Sequence, residues 1–156
     1  MMSAVADKRK KTSYAETLIE CEDFILTKLA VTVSGLLDDA LATLGLRLRH
    51  YRLLLLLQKN GACAQSAIGP ALGIDRTSVV AVVDDLERHG AVKRMRCEDR
   101  RAYFVGLTPA GRKLANKALA RVVAAEKKIY APLSAAERKT LRRLSAQVLL
   151  GISASH

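Results

Sequence analysis

The chain has 156 residues, which is enough for one domain with a sizeable core and short for two independent domains. Half of the residues are hydrophobic, so an intrinsically disordered chain is excluded. The 26 Lys and Arg residues outnumber the 15 Asp and Glu residues and give a formal charge of +11, which favours an anionic partner such as nucleic acid. The leucine run Leu53 to Leu57 is far too short to span a bilayer, so we expect no membrane partner.

The first residues, "MMSAVADKRKK", are basic and lack the apolar block and small-residue cleavage site of an export signal. We therefore predict a basic, flexible tail over residues 1–13. The three cysteines, Cys21, Cys63 and Cys97, are odd in number and have no metal-like spacing. This usage indicates a reducing, cytoplasmic compartment, with neither a metal site nor a cofactor.

Two helices are predicted before the first turn-rich segment. Apolar residues recur at three- and four-residue steps from Leu18 to Leu36, the spacing of one face of a long helix. We place this N-terminal helix within residues 14–44. A leucine-rich helix then runs from Arg47 to Gln58, and Asn60-Gly61 is expected to end it in a left-handed conformation.

The segment from Ala64 to Gly90, "AQSAIGPALGIDRTSVVAVVDDLERHG", has the pattern of a helix-turn-helix. A short helix from about Ser66 to Leu72 is followed by a tight turn at Gly73, and Asp75 is a good N-cap for a longer second helix. At 100° per residue, one side of the second helix is apolar and the opposite side carries small side chains. The apolar side consists of Val79, Val82, Val83 and Leu86, and the opposite side consists of Thr77, Val80, Ala81 and Asp84.

The outward side of this second helix is small and flat, which suits insertion into the major groove of DNA. Thr77 and Ser78 can hydrogen-bond to base edges there, and Val80 or Ala81 can contact a thymine methyl group. Arg76 flanks the first turn and is placed for a phosphate or a guanine edge. For a helix-turn-helix pattern taken alone, the alternative is an ordinary amphipathic surface helix. Acidic side chains outnumber basic ones on this helix, so its own charge would not hold a polyanion, but the basic residues directly downstream compensate.

A β-hairpin is predicted directly after this helix. Val92 to Arg96 and Tyr103 to Leu107 have the alternation of short strands, and the turn between them is polar and charged. Arginines at the tip of such a wing can enter the narrow minor groove, where Asp99 can hold a guanidinium in one orientation. A solvated charged turn is the alternative. The candidate DNA contacts of this region are Arg94, Arg96, Asp99, Arg100 and Arg101.

Cysteine oxidation is a further candidate chemistry at the wing. Cys97 lies beside Arg96 and close to Arg100, which can lower the pKa of its thiol and make it oxidisable. A bulky adduct there would disturb the wing. A passive surface thiol is the alternative.

Two further helices are predicted after the wing. The first begins at Thr108-Pro109 and the second at the capping box Ser134 to Glu137. Both carry apolar stripes, and together with the N-terminal helix they offer more apolar surface than one small core can cover. This favours pairing with a second copy, to which the N-terminal helix would also contribute. A helical bundle that does not dimerise is the alternative. The stripes consist of Leu114, Ala118, Val122, Ala125 and Ile129 in the first helix and of Leu141, Leu144 and Val148 in the second.

These motifs resemble those of the multiple antibiotic resistance regulator (MarR) family. The stretch "DRRAYFVGLTPAG" resembles the family signature of Asp-x-Arg, a short strand and Leu-Thr-x-x-Gly, and the similarity spans roughly residues 44–149. Upstream, "LGIDRTSVVAVVDDLERHGAVKR" resembles the recognition helix followed by Leu-Glu-x-x-Gly-x-Val-x-Arg. The matched positions are Leu86, Glu87, Gly90, Val92, Arg94, Asp99, Arg101, Leu107, Thr108 and Gly111.

The resemblance implies a homodimer that binds a palindromic operator, usually as a repressor. It also implies release by a small phenolic or aromatic compound or by cysteine oxidation. The helix that borders the family's ligand cleft carries Arg47, His50 and Tyr51 here, so these are the candidate ligand-binding residues. Tyr51 is equally well explained as a core aromatic residue.

Three departures from the family pattern bear on this interpretation. Ile68-Gly69-Pro70 stands where relatives usually have Leu-Ala, which favours a short supporting helix. Ala81 replaces an arginine or serine, so specificity is expected to be modest or partly based on DNA shape. Cys21 lies in the helix that carries the reactive cysteine of the peroxide-sensing branch, but "LIECEDF" does not reproduce the surroundings of that cysteine.

The sequence therefore predicts a mainly α protein with a small β-hairpin wing, in one structural domain. A winged helix-turn-helix over residues 45–108 is flanked by the N-terminal helix and by C-terminal dimerisation helices over residues 109–156. The expected partners are double-stranded DNA with a pseudo-palindromic operator, a second copy of the chain and a small aromatic effector. No catalytic triad or phosphate-binding loop stands out, so we predict no enzyme activity. The alternative function is a winged-helix protein-interaction module, or a non-specific DNA binder.

Overall fold

The computed structural model describes residues 18–96 and 103–154. These residues form a mainly helical fold with one small antiparallel sheet, as the sequence predicts. In chain order the elements are α1 (Glu22–Ala42), α2 (Leu48–Asn60), β1 (Cys63–Ala64), α3 (Gln65–Leu72), α4 (Arg76–Arg88), β2 (Val92–Arg96), β3 (Tyr103–Leu107), α5 (Pro109–Ile129) and α6 (Ala135–Ala154).

The sheet has three strands in the order β1-β3-β2, and both pairings are antiparallel. The hairpin strands β2 and β3 have the predicted bounds, and Val92 pairs with Leu107 at one end and Arg96 with Tyr103 at the other. The short strand β1 was not predicted. With only two residues it has no periodicity to recognise, and Cys63 belongs to a strand only because it pairs with Val105.

The core lies where α2 packs against β3 and α5, and where α4 packs against α2, α3 and β2. Leu53 and Leu54 of α2 have no exposed surface, and neither has Val105 at the centre of β3. The predicted apolar side of α4 is confirmed, because Val79, Val82, Val83 and Leu86 are all buried. Full burial of an aliphatic side chain of this size contributes roughly 1.5–3 kcal/mol, so this contact fixes the orientation of α4.

The predicted helix starts are confirmed by their hydrogen bonds. At the start of α4, the Ser78 N–H donates to Asp75 Oδ1 at 2.9 Å. At the start of α6, the Ser134 N–H donates to Glu137 Oε2 at 2.7 Å, and the Glu137 N–H donates to Ser134 Oγ at 3.3 Å. These side chains satisfy backbone donors that have no partner within the helix, so the local sequence sets where each helix begins.

Helix ends differ from the prediction at one position. Helix α2 ends at Asn60 as expected, but Gly61 has φ 78° and ψ −164°, outside the left-handed helical region. The chain continues through Ala62 into β1 and does not form a left-handed cap. Gly73, by contrast, has φ 65° and ψ 38° and makes the predicted left-handed turn between α3 and α4.

The chain divides into two compact units, one ending at Gly35 and the other beginning at Leu36. Within the first unit, the described part of the N-terminal segment includes the start of α1 at Glu22. The second unit contains the helix-turn-helix, the sheet, α5 and α6. The predicted tail over residues 1–13 and the predicted helix residues 14–17 lie outside the described part of the chain.

No single helix in residues 18–96 and 103–154 is long and apolar enough to cross a membrane. Taken together, α3 and α4 have the length and apolar composition of a membrane span, but the two helices are bent by 111° relative to each other.

Candidate functional site

Because Val79, Val82, Val83 and Leu86 are buried, the opposite side of α4 faces solvent. Val79 is 3% exposed, whereas the next residue, Val80, is 38% exposed. Arg76, Thr77 and Ala81 are exposed as well. The structure therefore brings four of the five candidate base-contacting residues of α4 onto one accessible side.

Ser78, the fifth of these candidates, has a second task. Its hydroxyl donates to Asp75 Oδ2 at 2.6 Å while its N–H donates to the same carboxylate. The Ser78 hydroxyl, and then the Ser78 N–H, hold the pKa of Asp75 below its ordinary value. Ser78 is thus part of the cap that starts α4, and its hydroxyl has only its acceptor side left for another partner.

The approach of α3 to α4 depends on a glycine. A β-carbon on Gly69 would lie 2.9 Å from the carbonyl oxygen of Ile74, and the Ile74 N–H donates to the Gly69 carbonyl at 3.1 Å. Pro70 lies inside this short helix and is exposed. The Ile68-Gly69-Pro70 departure from the family pattern therefore leaves a short supporting helix and provides the close contact that the turn requires.

The wing is the hairpin of β2 and β3, and its last described pair before the tip is Arg96 with Tyr103. The Arg96 guanidinium donates to Tyr103 Oη at 3.3 Å and lies 5.7 Å from the centre of the Tyr103 ring. Both side chains are exposed, and Tyr103 also lines a cleft of about 390 Å³ with Arg76 at the start of α4. Cys97, Asp99, Arg100 and Arg101, the predicted residues of the wing tip, lie outside the described residues.

Arg94 differs sharply from Arg96, although both were predicted to contact DNA. Its guanidinium forms ion pairs with Asp84, at 2.7 Å, and with Glu87, and its Nε–H donates to Gln65 Oε1 at 3.0 Å. Its side chain is only 22% exposed. Burial tends to lower the pKa of Arg94, but the two carboxylates outweigh burial and raise it.

The base of the wing is anchored to the start of α5. Thr108 Oγ1 donates to the Gly90 carbonyl at 2.6 Å, and the Thr108 N–H donates to the Ala91 carbonyl at 3.0 Å. The same hydroxyl oxygen accepts the Gly111 N–H at 2.9 Å, which is the predicted N-cap of α5. The Leu-Thr-x-x-Gly motif thus joins the turn after α4 to the helix after the wing.

A second candidate site lies at the N-terminal end of α2. A cleft of about 460 Å³ contains two of the three candidate ligand-binding residues, Arg47 and His50. The other residues that line this cleft were not predicted from the sequence. They either belong to a helix distant in the chain or are polar surface residues outside any recognisable motif. They are Gly45, Arg49, Asp85, Arg88 and His89.

His50 is the buried centre of this cleft. Its Nδ1 accepts the Arg47 N–H at 2.9 Å, so Nε2 carries the proton of the neutral ring and donates to Asp85 Oδ2 at 3.1 Å. Burial lowers the pKa of His50, and the hydrogen bond to Asp85 opposes that shift only in part. Asp85 also pairs with Arg88, and Arg49 lies 4.0 Å from it.

Tyr51 is not among the residues that line this cleft. Its side chain is 8% exposed, and burial, followed by the nearby Glu126, raises the pKa of its hydroxyl. The geometry therefore favours the interpretation of Tyr51 as a core aromatic residue.

The described cysteines offer little support for thiol chemistry. Cys21 is exposed, and Cys63 is half-buried in β1. Burial raises the pKa of the Cys63 thiol, so a smaller fraction of it is present as the reactive thiolate at neutral pH. Within residues 18–96 and 103–154, no group of His, Cys, Asp and Glu side chains is arranged to hold a metal ion.

Helix α6 leaves a large apolar surface uncovered. Its residues are exposed almost throughout, and Leu149 and Leu150 are 66% and 69% exposed. Exposed apolar side chains also occur on α5 and in the N-terminal unit. The group comprises Leu18, Ile19, Ile25, Leu26, Leu29 and Val31 in that unit, Leu36 in α1, Leu119 and Val123 in α5, and Leu144, Val148, Leu149, Leu150 and Ile152 in α6.

The helix-turn-helix and the first strand of the wing lie within the match to a known family model. The model of the MarR family matches residues 46–103, a range that begins just before α2 and ends at Tyr103. The HTH-type transcriptional regulator PecS of Dickeya dadantii (strain 3937) is 31% identical over 127 residues, which cover 79% of this chain and 76% of PecS. The chain spans 55% of the length of another curated relative, to which it is 36% identical over 92 residues.

Solved structures share the fold as well as part of the sequence. A transcriptional regulator of the MarR family from Rhodococcus sp. RHA1 superposes with a TM-score of 0.77 at 27% identity, covering 88% of this chain and 95% of that one. CouR from Rhodococcus jostii RHA1, solved with bound p-coumaroyl-CoA, superposes with a TM-score of 0.73 at 28% identity, covering 81% and 89%.

Proposed function

This chain belongs to the MarR family of transcriptional regulators, and from that premise we propose that it is a homodimeric, sequence-specific DNA-binding repressor that a small anionic aromatic effector releases. The observation that carries the proposal is the accessible side of α4, where Arg76, Thr77, Val80 and Ala81 are exposed. Arg76 shares a cleft with Tyr103, the partner of Arg96 on the wing. The protein acts in the cytoplasm, where a repressor meets its operator.

The proposed DNA contacts divide by role. Thr77, Ala81 and Val80 read base edges and thymine methyl groups in the major groove. Arg76 and Arg96 contact phosphates, and Arg100 and Arg101, with Asp99 orienting a guanidinium, enter the minor groove. Since few of these groups form bidentate contacts with bases, we expect part of the specificity to come from DNA shape.

Dimerisation gives the exposed apolar side chains of α5 and α6 a partner. Monomeric proteins rarely expose a contiguous apolar surface of this kind, and a second copy is the simplest way to cover it. In a two-fold dimer the two copies of α4 would address half-sites roughly 34–36 Å apart, which predicts a pseudo-palindromic operator.

The cleft around His50 is the proposed effector site. Arg47, Arg49 and Arg88 line it, and Asp85 is the acidic residue among its lining residues, so the cleft favours an anionic ligand. CouR was solved with bound p-coumaroyl-CoA, a compound with an aromatic ring and anionic phosphates, which supports an aromatic, anionic ligand here. A ligand that draws Arg88 away from Asp85 would act directly on the end of α4, since both residues belong to that helix.

Release by thiol oxidation is the second form of this regulation. Exposed Cys21 is accessible to an oxidant, and Cys97 is next to the proposed phosphate contact Arg96. Effector binding has more support than thiol oxidation, because the structure contains a cleft lined by Arg47, Arg49 and Arg88.

The competing function is a winged-helix module that binds a protein partner, or that binds DNA without sequence preference. The acidic residues of α4 favour it, although the pairing of Asp84 and Glu87 with Arg94 reduces their net charge. A binding titration of the purified protein separates the functions. It uses the intergenic DNA beside the protein's own gene and an unrelated duplex, each at two salt concentrations.

Binding to the intergenic DNA that exceeds binding to the unrelated duplex at the higher salt is the expected result. Equal binding to both, with the same steep salt dependence, would contradict operator recognition, because only the net charge would then be read.

A further inference from the structure

Arg94 occupies the point where three elements of the helix-turn-helix and wing meet. It lies in the middle of β2, and its guanidinium contacts Asp84 and Glu87 on α4 and Gln65 at the start of α3. Its own N–H donates to Glu87 Oε1 at 2.9 Å. One residue therefore bonds the first wing strand to both helices of the helix-turn-helix, through its backbone and its side chain.

These contacts leave Arg94 poorly suited to bind DNA. Two carboxylates neutralise its charge, and a phosphate could reach it only by displacing one of them from a side chain that is 22% exposed. Arg96, two residues along the same strand, is exposed and has a tyrosine as its partner. Arg94 and Arg96 lie on the same strand, but Arg94 is paired with carboxylates and Arg96 is exposed.

The fork shape of the guanidinium matters for this arrangement. Arginine presents several N–H groups in fixed directions, so it can bond to Asp84, Glu87 and Gln65 at the same time. A lysine ammonium at the same position would keep the charge without those directions. The contact between strand and helices therefore depends on geometry as well as on charge.

We propose that Arg94 is a positioning residue that sets the angle between the wing and the recognition helix α4 through Glu87, Asp84 and Gln65, and that it does not contact DNA. This inference rests on the proposed operator binding. The wing and α4 must enter neighbouring grooves of one duplex at the same time, so a change in their angle lowers operator affinity without removing a phosphate contact.

The pairing also explains how an acidic helix is compatible with DNA. Asp84 belongs to the outward side of α4, where an uncompensated carboxylate would repel phosphates. Arg94 is bonded to that carboxylate at 2.7 Å and offsets its charge. Removing the carboxylate of Glu87 or Asp84 should therefore not strengthen DNA binding as the loss of a negative charge alone would.

The test measures the affinity of the full-length protein for the intergenic duplex and for an unrelated duplex over a range of salt concentrations. The variants are Arg94→Gln, Arg94→Lys and Glu87→Gln, with Arg96→Gln as the matched control on the same strand. We expect Arg94→Gln to lower operator affinity about tenfold or more and to leave the salt slope on the unrelated duplex unchanged. Arg96→Gln should lower affinity for both duplexes and reduce the slope by about 0.9.

Two variants distinguish positioning from charge. Arg94→Lys keeps the charge but loses the fork, so it should bind the operator nearly as weakly as Arg94→Gln. Glu87→Gln removes a negative charge, which by charge alone would tighten DNA binding, whereas the positioning role predicts weaker operator binding. Parent affinity in Arg94→Lys, tighter binding in Glu87→Gln, or a slope that falls in Arg94→Gln as in Arg96→Gln would overturn the inference.

Amide hydrogen exchange at Arg96 and Tyr103 provides a readout without DNA. Exchange there should be faster in Arg94→Gln and in Glu87→Gln than in the parent, because the wing is less firmly held. If the parent protein shows no preference for the intergenic duplex, the proposed function fails, and unchanged exchange in both variants would separately overturn the positioning role. Glu87→Gln keeps the test decisive should Arg94→Gln not fold.

Discussion

A β-carbon on Gly111 would overlap the carbonyl oxygen of Ala91. No side chain other than hydrogen is compatible with that approach, and the obstructing atom belongs to the backbone. The same carbonyl accepts the Thr108 N–H at 3.0 Å, so it cannot move away without breaking that bond. The glycine of the Leu-Thr-x-x-Gly motif is therefore required by the packing of α5 against the turn that precedes the wing.

Gly111→Ala should lower the free energy of unfolding by about 3 kcal/mol or more, because backbone has to shift to admit the methyl group. Urea unfolding measures the effect. Gly35→Ala is the matched control, since a β-carbon added to Gly35 in α1 would meet no atom within 4 Å, and alanine favours a helix. Equal stability of Gly111→Ala and the parent would contradict the close packing.

Leu149→Glu should shift the protein from dimer to monomer. Leu149 is 66% exposed on α6, and a glutamate there would place a charge in the proposed interface, weakening association by roughly 2 kcal/mol or more. Sedimentation equilibrium measures the dissociation constant. Lys139→Glu, at an exposed charged position of the same helix, is the control, and an unaltered dimer in Leu149→Glu would exclude α6 from the interface.

Thr77→Ala should change sequence preference more than overall affinity. Thr77 is exposed on the outward side of α4, and its hydroxyl is proposed to form a single hydrogen bond to a base edge, which contributes roughly 0.5–1.5 kcal/mol. Competition between the operator and its single-base variants measures the effect. A uniform loss across all duplexes would instead assign Thr77 to the DNA backbone.

Arg101→Ala should weaken operator binding about a hundredfold without changing dimerisation. An arginine in the narrow minor groove contributes through the enhanced negative potential there, and alanine removes that contribution. A binding titration at matched salt, with sedimentation of the same sample, measures both properties. Parent-like affinity would exclude Arg101 from the minor groove.

Stability should fall as pH decreases below about 7. Burial holds the pKa of His50 below the ordinary value of 6.5, so the unfolded chain takes up a proton at a higher pH than the folded chain does. Stability begins to fall as pH decreases through the pKa of His50 in the unfolded chain. It continues to fall until pH reaches the lower pKa of His50 in the folded protein. Thermal unfolding from pH 8 to pH 5 should show a smaller decline in His50→Gln than in the parent, and parallel curves would contradict this role of His50.

Local patterns in the sequence were sufficient for much of this fold. The periodicity of Val79, Val82, Val83 and Leu86 predicts the buried side of α4, and alternation predicts the bounds of β2 and β3. Asp75 and Thr108 mark helix starts because each cap bonds to a backbone N–H three residues away. Such features depend on neighbours along the chain, so a sequence alone can reveal them.

Partners that are distant in the chain could not be predicted in this way. Arg94 was predicted to contact DNA because basic residues on a hairpin beside a helix-turn-helix favour that role over a solvated charged turn. Its pairing with Gln65, 29 residues away, depends on how α3 meets β2. The bond between His50 and Asp85 joins residues 35 positions apart. Sequence by itself determined the helices, the two hairpin strands, the exposed side of α4 and the family, but not β1. Only tertiary packing decided which charged groups neutralise each other and which remain free to bind, because that choice depends on distances between elements that no local pattern encodes.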